Sequence, residues 1–415
     1  MSELDRRDLI GAALLLGPTA HIASAEAAPA QGADYWRSVA DQYDITREIV
    51  PFENGMWGMM PRPVMEAYRR KTEMANRRNS FYARREFDAD LERVRARAAR
   101  DLGAATEEVA FTRGATEALM TLINGYNRLK PGDAVLYADL DYDSTQSAFE
   151  WLKTHRGVTV VTIALPEPAT HQTLIDAYEA ALKANPKIRL MLITHVSHRT
   201  GLVLPVGEIV EMARSRGVDA IVDSAHAWGQ LDFKLSDLKA DFVALTCQKW
   251  IGAPVGTGLM YVRRARIDDI DTAIGNGGFA PDDIRRKIHT GTSNFAAFLA
   301  LEDALDFHEK IGAGPKEARL RALRDRWAEE VRGQVEILTP SDPRLTSGIA
   351  SFRFKGHTSH AQNVADAEAL LKRFKIFTVE RSGVASGSCI RVTCAVFTRE
   401  AEVDQLTAAL KAMSA

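Results

Sequence analysis

A lysine that directly follows a buried apolar run is the residue best suited to covalent chemistry. Lys249 comes after the run Phe242–Leu245 and before a turn of small residues, Gly252–Gly258. Desolvation lowers the pKa of a lysine amine and makes it nucleophilic, as Schiff-base chemistry with a carbonyl compound requires. A lysine whose amine reaches solvent is the alternative interpretation. The small residues leave room beside the amine and favour the reactive one.

An acid and a histidine end another apolar run. Asp223 follows the run Ala220–Val222, and His226 comes three residues later. Ligands of open α/β sheets bind at the carboxyl ends of the strands. A buried carboxylate with no lysine or arginine near it in sequence needs a cationic partner, and the protonated ring nitrogen of a ligand would serve. A helix N-cap for Asp223 and a hydrogen-bonded structural role for His226 are the alternatives.

A turn of glycine and threonine joins a third apolar run to a helix. Gly114, Ala115 and Thr116 follow the run Val109–Thr112. Glycine lets the backbone approach a ligand closely, and the first N–H groups of a helix attract negative charge. The turn therefore predicts an anion site to which the Thr116 hydroxyl contributes. A helix capped by Thr116 or Thr112 is the alternative.

In the order anion turn, aspartate, lysine, the chain resembles fold-type I enzymes that use pyridoxal 5′-phosphate (PLP). Among these it is similar to the class V aminotransferase family and its isopenicillin N epimerase-like subgroup. The resemblance covers the chain after residue 35. It implies that catalytic Lys249 holds PLP as a Schiff base and that Asp223 pairs with the pyridine nitrogen. At these motifs the resemblance also implies cofactor contacts from four more residues: Gly114, Ala115, Thr116 and His226.

More distant positions also match the family. Tyr142 falls where an aromatic ring stacks on the pyridine, and Gly291-Thr292 falls where a threonine reaches the PLP phosphate of the neighbouring subunit. The resemblance therefore implies a homodimer. Arg391 matches the arginine that grips the substrate α-carboxylate, a role suited to its forked guanidinium. The segment Glu53-Asn54-Gly55 with Trp57 resembles the one that lines the active-site mouth, and Asn54 and Trp57 are expected to bind substrate.

Some positions depart from the family pattern. The group often has serine and histidine where this chain has Thr246 and Gln248, and both replacements can still donate to a phosphate. His198 stands where cysteine desulfurases carry an asparagine near the phenolic oxygen of the cofactor, so it is expected to contact PLP while the reaction type stays open. Desulfurases also need a nucleophilic cysteine on a loop well before the carboxylate-binding arginine. Cys389 is instead two residues from Arg391 and shares its strand face, which argues against desulfuration.

The elements that position these residues follow from apolar periodicity. Short apolar runs alternate with helix-period segments, a pattern that indicates βαβ units around a largely parallel sheet. The predicted fold is α/β and aspartate aminotransferase-like, with seven strands in a large domain and a smaller α+β domain at the C-terminal end. The predicted strands of the sheet are Val109–Thr112, Ala134–Tyr137, Val158–Ala164, Leu190–Thr194, Ala220–Val222, Phe242–Leu245 and Gly258–Val262.

Domain boundaries follow from the same pattern. We expect an export signal at 1–30, an N-terminal segment packing with the small domain at 31–60, a large PLP-binding domain at 61–300 and a small domain at 301–415. The small domain is predicted to contain three strands and a closing helix. These are Ile349–Phe354, Ile376–Glu380, Ile390–Phe397 and Glu400–Met413.

Composition narrows the class of partner. Lys and Arg number 53 against 55 for Asp and Glu, so no basic excess indicates a nucleic-acid or membrane-surface ligand. The three cysteines form no disulfide framework, and no metal, P-loop or dinucleotide motif is present. A small-molecule amino-acid substrate is the expected partner.

The first thirty residues predict export. Arg6 and Arg7 precede an apolar stretch, Leu9–Leu16, that is too short to span a bilayer, and an alanine-rich segment, Ala23–Ala30, follows. Paired arginines here resemble a twin-arginine signal, which exports folded proteins and so implies a periplasmic location. A frayed amphipathic N-terminus is the alternative.

The expected activity is a reaction at the α-carbon of an amino acid or an amino-acid-containing metabolite, as in isopenicillin N epimerase-like enzymes. An aminotransferase or oxidative decarboxylase that tailors secondary metabolites is one alternative. An exported binding protein on a non-catalytic PLP fold is another, and the joint presence of Lys249, Asp223, Thr116 and Arg391 argues against it.

Overall fold

The computed structural model describes residues 32–414, so the export signal predicted at 1–30 lies outside the described residues. The helices are α1 (Ala33–Ala40), α2 (Arg62–Arg85), α3 (Phe87–Leu102), α4 (Ala115–Gly125), α5 (Asp143–Arg156), α6 (His171–Ala184), α7 (Val206–Arg214), α8 (Phe295–Ile311), α9 (Ala313–Ala328), α10 (His360–Phe374) and α11 (Glu400–Ser414). The strands are β1 (Val50–Pro51), β2 (Val109–Thr112), β3 (Ala134–Ala138), β4 (Thr159–Ile163), β5 (Ile188–Thr194), β6 (Asp219–Ser224), β7 (Phe242–Thr246), β8 (Gly258–Val262), β9 (Val335–Ile337), β10 (Ile349–Phe354), β11 (Ile376–Phe377), β12 (Val379–Arg381) and β13 (Cys389–Thr393).

The large sheet has seven strands in the order β2-β8-β7-β6-β5-β3-β4. All are parallel to one another except β8, which runs antiparallel to both of its neighbours. The α/β architecture with a mostly parallel seven-stranded sheet is thereby confirmed. Strand β8 is reversed because only a short loop, residues 247–257, joins it to β7, and a parallel return would need a longer crossover.

The parallel strands bring their carboxyl ends to one edge of the sheet. Strand β7 is buried along its whole length, and β6 is buried after its first residue, so neither strand offers a polar face to water. The polar residues that follow β2, β6 and β7 therefore gather at this edge, which is where ligands of open α/β sheets bind.

A second sheet is antiparallel and has the order β12-β13-β10-β9. Helices α9, α10 and α11 contribute to the core beside it, in which Trp327, Phe352 and Leu410 are fully buried. The strand predicted at Ile349–Phe354 is β10, with the same bounds.

Two strand predictions for this region were wrong in their bounds. The single strand expected at Ile376–Glu380 is two strands, because β11 pairs with β1 whereas β12 pairs with β13. The strand expected to end at Phe397 ends at Thr393. Beyond it the Cys394 N–H donates to Gly348 O, and the chain then turns.

The segment before α2 is tied to the small sheet. Strand β1 pairs with β11, the Phe52 N–H donates to Phe377 O, and the Thr393 N–H donates to Phe52 O. Side chains of α1 pack with the turn after β13 in a separate apolar cluster that includes Trp36 and Phe397. These contacts bring residues 50–58 toward the cavity described below.

Helices α2 and α3 have no counterpart in the sequence predictions. Along its 24 residues α2 buries only Val64, Ala67 and Tyr82, so it carries little apolar periodicity. Asn79 breaks the helix with φ 46° and ψ −133°. Among residues 32–414, no helix is long and apolar enough to cross a membrane.

Candidate active site

A cavity of about 720 Å³ opens at the edge where β2, β6 and β7 end. Its volume is typical of small-molecule sites, which occupy roughly 300–1,000 Å³. Most residues that the sequence singles out line this one cavity. They are Gly114, Ala115, Thr116, Tyr142, His198, Asp223, His226, Thr246, Gln248, Lys249 and Arg391.

The Lys249 amine is held by a histidine with a defined tautomer. Its Nζ lies 2.9 Å from His226 Nε2, and His226 Nδ1 accepts a hydrogen bond of 3.3 Å from Trp250 Nε1. Because Nδ1 is an acceptor, the ring proton is on Nε2 and points to the lysine nitrogen. Desolvation lowers the pKa of Lys249 to about 8 and that of His226 well below its usual value. Burial therefore makes more of the Lys249 amine neutral and nucleophilic than in an exposed lysine.

Asp223 places a buried carboxylate on the cavity wall. Its side chain is 5% exposed, and its Oδ1 accepts a 2.9 Å hydrogen bond from the Ala225 N–H. The chain turns here without starting a helix, so the N-cap alternative is wrong. Burial raises the pKa of Asp223, while the Ala225 N–H and Lys249 oppose that rise. A cation bound beside this carboxylate would offset its desolvation.

The anion turn is built on glycine. Gly114 precedes α4 without a side-chain cap, and the Ala115 N–H reaches Thr246 Oγ1 at 3.3 Å. The Thr112 hydroxyl donates to Gly114 O, so neither threonine caps the helix. A Cβ at Gly258 would lie 2.5 Å from Gly114 Cα. Strand β8 can therefore lie this close to the turn only with a glycine at position 258. Thr116 lines the cavity within the first turn of α4.

Gln248 combines a structural bond with a free donor group. Its Oε1 accepts from the N–H groups of Gly256 and Thr257, at 2.6 and 3.1 Å, and so holds the turn before β8. Its Nε2 donates to none of the side chains or carbonyls between residues 32 and 414. Gln248 lines the cavity, so its amide group can donate to an anion bound there.

His198 has an unsatisfied ring nitrogen. Its ring meets Tyr142 edge to face, with centroids 5.4 Å apart, and its Nε2 lies 3.7 Å from Asp143 Oδ2. Burial lowers the pKa of His198 to about 4, although Asp143 opposes this. Its Nδ1 is buried without a hydrogen-bond partner in the described part of the chain. Such an atom carries an uncompensated desolvation cost.

Arg391, which is expected to bind the substrate carboxylate, already has a carboxylate partner in its own chain. Arg391 is 1% exposed, and its Nη2 donates to both oxygens of Glu53, at 2.6 and 2.7 Å. Its Nη1 donates to His198 O at 2.7 Å. Burial lowers the pKa of Arg391, and Glu53 opposes this. Glu53 belongs to the segment expected at the active-site mouth, but its pairing with Arg391 was not predicted, because no local pattern connects two residues so far apart in the chain.

Asn54 and Trp57 do not line this cavity, and their expected substrate contacts stay a prediction. The Asn54 amide donates to Pro51 O and Thr393 O and so fastens the segment, while the Trp57 side chain is half exposed outside the cavity. The neighbours that line the cavity are Gly55 and Met56. Sequence placed the segment at the mouth but could not tell which of its side chains turn inward.

Gly291 and Thr292 are exposed and do not line the cavity of their own chain. This placement agrees with a role in a neighbouring subunit, and that role stays a prediction. Arg113 and Arg381 line the cavity without having been predicted as site residues. The signal that could have identified Arg113 was its position as a polar residue directly after strand β2.

None of the three cysteines lines the cavity. Cys389 is buried, with its Sγ 3.6 Å from Arg381 O, and burial raises its pKa to about 12. A protonated, enclosed thiol is a poor nucleophile. Within residues 32–414 no group of three histidine, cysteine or acidic side chains could hold a metal ion.

The residues present fit PLP. The first N–H groups of α4 and the Gln248 amide suit its phosphate, and the buried Asp223 carboxylate suits a protonated pyridine nitrogen. Lys249 offers an amine whose lowered pKa makes more of the neutral form available, and a covalent link to an aldehyde requires that form. His198 also lines the cavity, so its imidazole can contact the ring.

Comparison with known proteins agrees with this fit. Residues 58–406 match the family described as Aminotransferase class-V. The chain is 28% identical to the isopenicillin N epimerase of Streptomyces clavuligerus, over 91% of this chain and 98% of that one. It is 26% identical to a cysteine desulfurase of Pectobacterium atrosepticum, over 77% and 81%.

Solved structures share the fold. The apo cysteine desulfurase from Thermococcus onnurineus NA1 superimposes with a TM-score of 0.77 at 22% identity, covering 91% of this chain and 96% of that one. A C-DES mutant with glycine covalently linked to its PLP cofactor gives a TM-score of 0.75 at 23% identity, covering 89% and 98%.

Proposed function

Because this chain belongs to the class V aminotransferase family of PLP-dependent enzymes, we propose that it acts at the α-carbon of an amino acid or an amino-acid-containing metabolite, as isopenicillin N epimerases do. The observation that carries this proposal is the Lys249 amine, whose pKa burial lowers to about 8 and which lies beside His226 in one cavity with Asp223 and Arg391. The epimerase relatives also align along nearly their whole length, whereas the desulfurase relatives align over less of theirs.

Each residue has a part in that chemistry. Bound PLP supplies an electron sink that makes the substrate α-carbon acidic. Asp223 keeps the ring nitrogen protonated, and the turn at Gly114–Thr116 holds the phosphate. Arg391 orients the substrate carboxylate by its forked N–H groups. The Lys249 amine, whose pKa is about 8, takes up and returns a proton at the α-carbon.

The fate of that proton separates the reactions that this site can perform. Return to the opposite face gives epimerisation, whereas transfer to the cofactor gives transamination; decarboxylation and elimination are further outcomes. Desulfuration of the kind that uses a nucleophilic cysteine is disfavoured, because Cys247, Cys389 and Cys394 are all buried away from the cavity.

The test is incubation of the holoenzyme with L-amino acids and short peptides in D₂O. Mass spectrometry follows deuterium at the α-carbon, and chiral chromatography follows its configuration. Epimerisation should give deuterated product of both configurations without a keto acid. A keto acid would indicate transamination, and loss of carbon dioxide or of a side-chain group would indicate a lyase. No deuterium in any compound, with a colourless protein, would overturn the proposal.

The proposal includes a homodimer in which Thr292 of each chain contacts the phosphate bound by the other. Support comes from the exposure of Gly291 and Thr292 outside their own cavity and from the prevalence of two-fold dimers. Thr292→Ala should weaken PLP binding about tenfold or more, since a hydrogen bond to a charged group contributes about 1.5–3 kcal/mol. Equilibrium dialysis measures the PLP affinity, and sedimentation measures the oligomeric state. Thr159→Ala, at an exposed position of β4, is the control. A monomeric protein in which Thr292→Ala leaves the PLP affinity unchanged would contradict the proposed dimer.

Export is the remaining part of the proposal, and its support is the sequence of residues 1–30. Arg6 and Arg7 are expected to direct the folded, cofactor-loaded protein to the periplasm, where PLP is not made. Changing both residues to lysine should retain the protein in the cytoplasm. Cell fractionation with N-terminal sequencing measures this, and equal fractionation of the two forms would refute the export signal while leaving the enzyme assignment intact.

A further inference from the structure

Arg391, the expected binding partner of the substrate carboxylate, is already paired with the carboxylate of Glu53. Arg391 directs Nη2 to both oxygens of Glu53 and Nη1 to His198 O, while its Nε is buried without a partner in the described residues. A carboxylate that binds a guanidinium through two bonds uses either the Nη1–Nη2 edge or the Nε–Nη2 edge. Both edges include Nη2, so a substrate carboxylate and Glu53 compete for the same nitrogen.

We propose that Glu53 is an exchangeable internal ligand that a substrate carboxylate must displace from Arg391, and that this exchange sets the affinity and selectivity of the site. The inference rests on the proposed function, because it takes Arg391 as the carboxylate-binding residue. A buried guanidinium without a counter-ion is strongly destabilising. Glu53 supplies that counter-ion in the free enzyme, and the substrate supplies it in the complex.

The exchange requires movement of one side chain and not of the whole segment. Phe52 is hydrogen-bonded through its backbone on one side, and the Gly58 N–H donates to Gln248 O on the other. The Asn54 amide fixes the segment to Thr393 O. A Cβ at Gly55 would lie 2.7 Å from Arg391 Nη2, so only a glycine here lets the segment pack against the guanidinium without displacing it.

A second arginine, Arg381, lies close enough to pair with the displaced Glu53 carboxylate. Arg381 Nη2 lies 3.7 Å from Glu53 Oε1, and its side chain is 29% exposed against 2% for that of Arg391. The Met56 N–H also donates to Glu53 Oε1, at 3.0 Å. When Glu53 leaves Arg391, it can move to Arg381 and stay paired at the more hydrated position. Ligands without a carboxylate cannot drive the exchange, and so the site selects against them.

The test measures binding of propionate, which has a carboxylate but no amine and therefore does not turn over. Glu53→Gln should lower the Kd for propionate by about tenfold or more, since close charge pairs of this kind couple by at least about 1.5 kcal/mol. The absorbance of the holoenzyme and isothermal calorimetry report binding. Without ligand, this variant should have a lower Tm than the native protein, and propionate should restore the Tm. Propanamide, the uncharged analogue, should bind weakly to both forms.

Controls keep the outcome decisive. Glu336→Gln removes a glutamate that bonds Arg353 in the small sheet, at 2.7 Å, outside the cavity; it should leave propionate affinity unchanged. Glu53→Asp retains the charge on a shorter side chain and should tighten propionate binding less than Glu53→Gln, which provides a reading even where the glutamine variant folds poorly. Unchanged or weaker propionate binding in the Glu53 variants would overturn the exchange. Because propionate binding needs no turnover, a failed amino-acid screen with tighter propionate binding would refute the proposed reaction alone.

Discussion

Replacing Lys249 with alanine is expected to abolish the borohydride-reducible link between PLP and the chain. The Lys249 amine reaches the cavity and has a pKa of about 8, so it is the described amine best placed for the aldehyde. Turnover should fall by at least a factor of about 10², the usual contribution of a positioned acid–base group. Reduction with borohydride followed by peptide mass mapping measures the link. In the native apo-protein, PLP capture should speed up as pH rises and level off above about 8, because only the neutral amine reacts.

Lys316 provides the matched control for that experiment. Burial lowers its pKa to about 7, below that of Lys249, yet its Nζ donates to Trp250 O and it does not line the cavity. If a lowered pKa alone determined reactivity, Lys316 would be the modified residue. Lys316→Met should therefore keep the reducible link at Lys249. A reducible adduct on Lys316, or on any lysine other than Lys249, would refute the assignment.

Replacing Asp223 with asparagine is expected to lower turnover by a factor of roughly 10²–10⁴. Removal of one partner from a buried charge pair costs about 3–5 kcal/mol, and each 1.36 kcal/mol in a barrier is tenfold in rate. The asparagine can preserve the size of the side chain but cannot hold the ring nitrogen protonated. The expected signature is a large loss of kcat with the PLP link at Lys249 retained.

Asp241→Asn distinguishes that effect from a loss of stability. Asp241 is also a buried acid in the region of the large sheet, but it lies just before β7, where it pairs with Arg266, Arg263 and Arg214. Its replacement should lower Tm while leaving kcat close to the native value. Equal losses of kcat in the Asp223 and Asp241 variants would show that Asp223 acts through stability only.

Helix and strand positions near the site were predictable because their signals are local. The runs at Val109–Thr112 and Gly258–Val262 have the bounds that the structure gives to β2 and β8, since an apolar run bounded by polar and small residues marks a fully buried strand. A single strand was predicted where the structure has β11 and β12, because the apolar pattern of Ile376–Glu380 shows no break. Only their different partners, β1 and β13, divide them.

The sequence by itself determined the reactive residues near strand ends. Gly114, Thr116, Asp223 and Lys249 each follow an apolar run, and parallel strands must bring such residues to one edge. Their convergence on a single cavity is therefore a consequence of the alternating pattern. The chemistry of an amine, a carboxylate and an anion site was readable before any contact was known.

Only the tertiary structure decided which side chains meet across long separations. The pair between Glu53 and Arg391, the tautomer that Trp250 imposes on His226, and the outward side chain of Trp57 depend on how separate segments pack. Periodicity reports which face of an element is buried, but it carries no information on the partner that buries it. Hydrogen bonds and ion pairs between distant segments form only when the whole chain has folded, and so the competition between Glu53 and a substrate carboxylate for Arg391 could be inferred only from the structure.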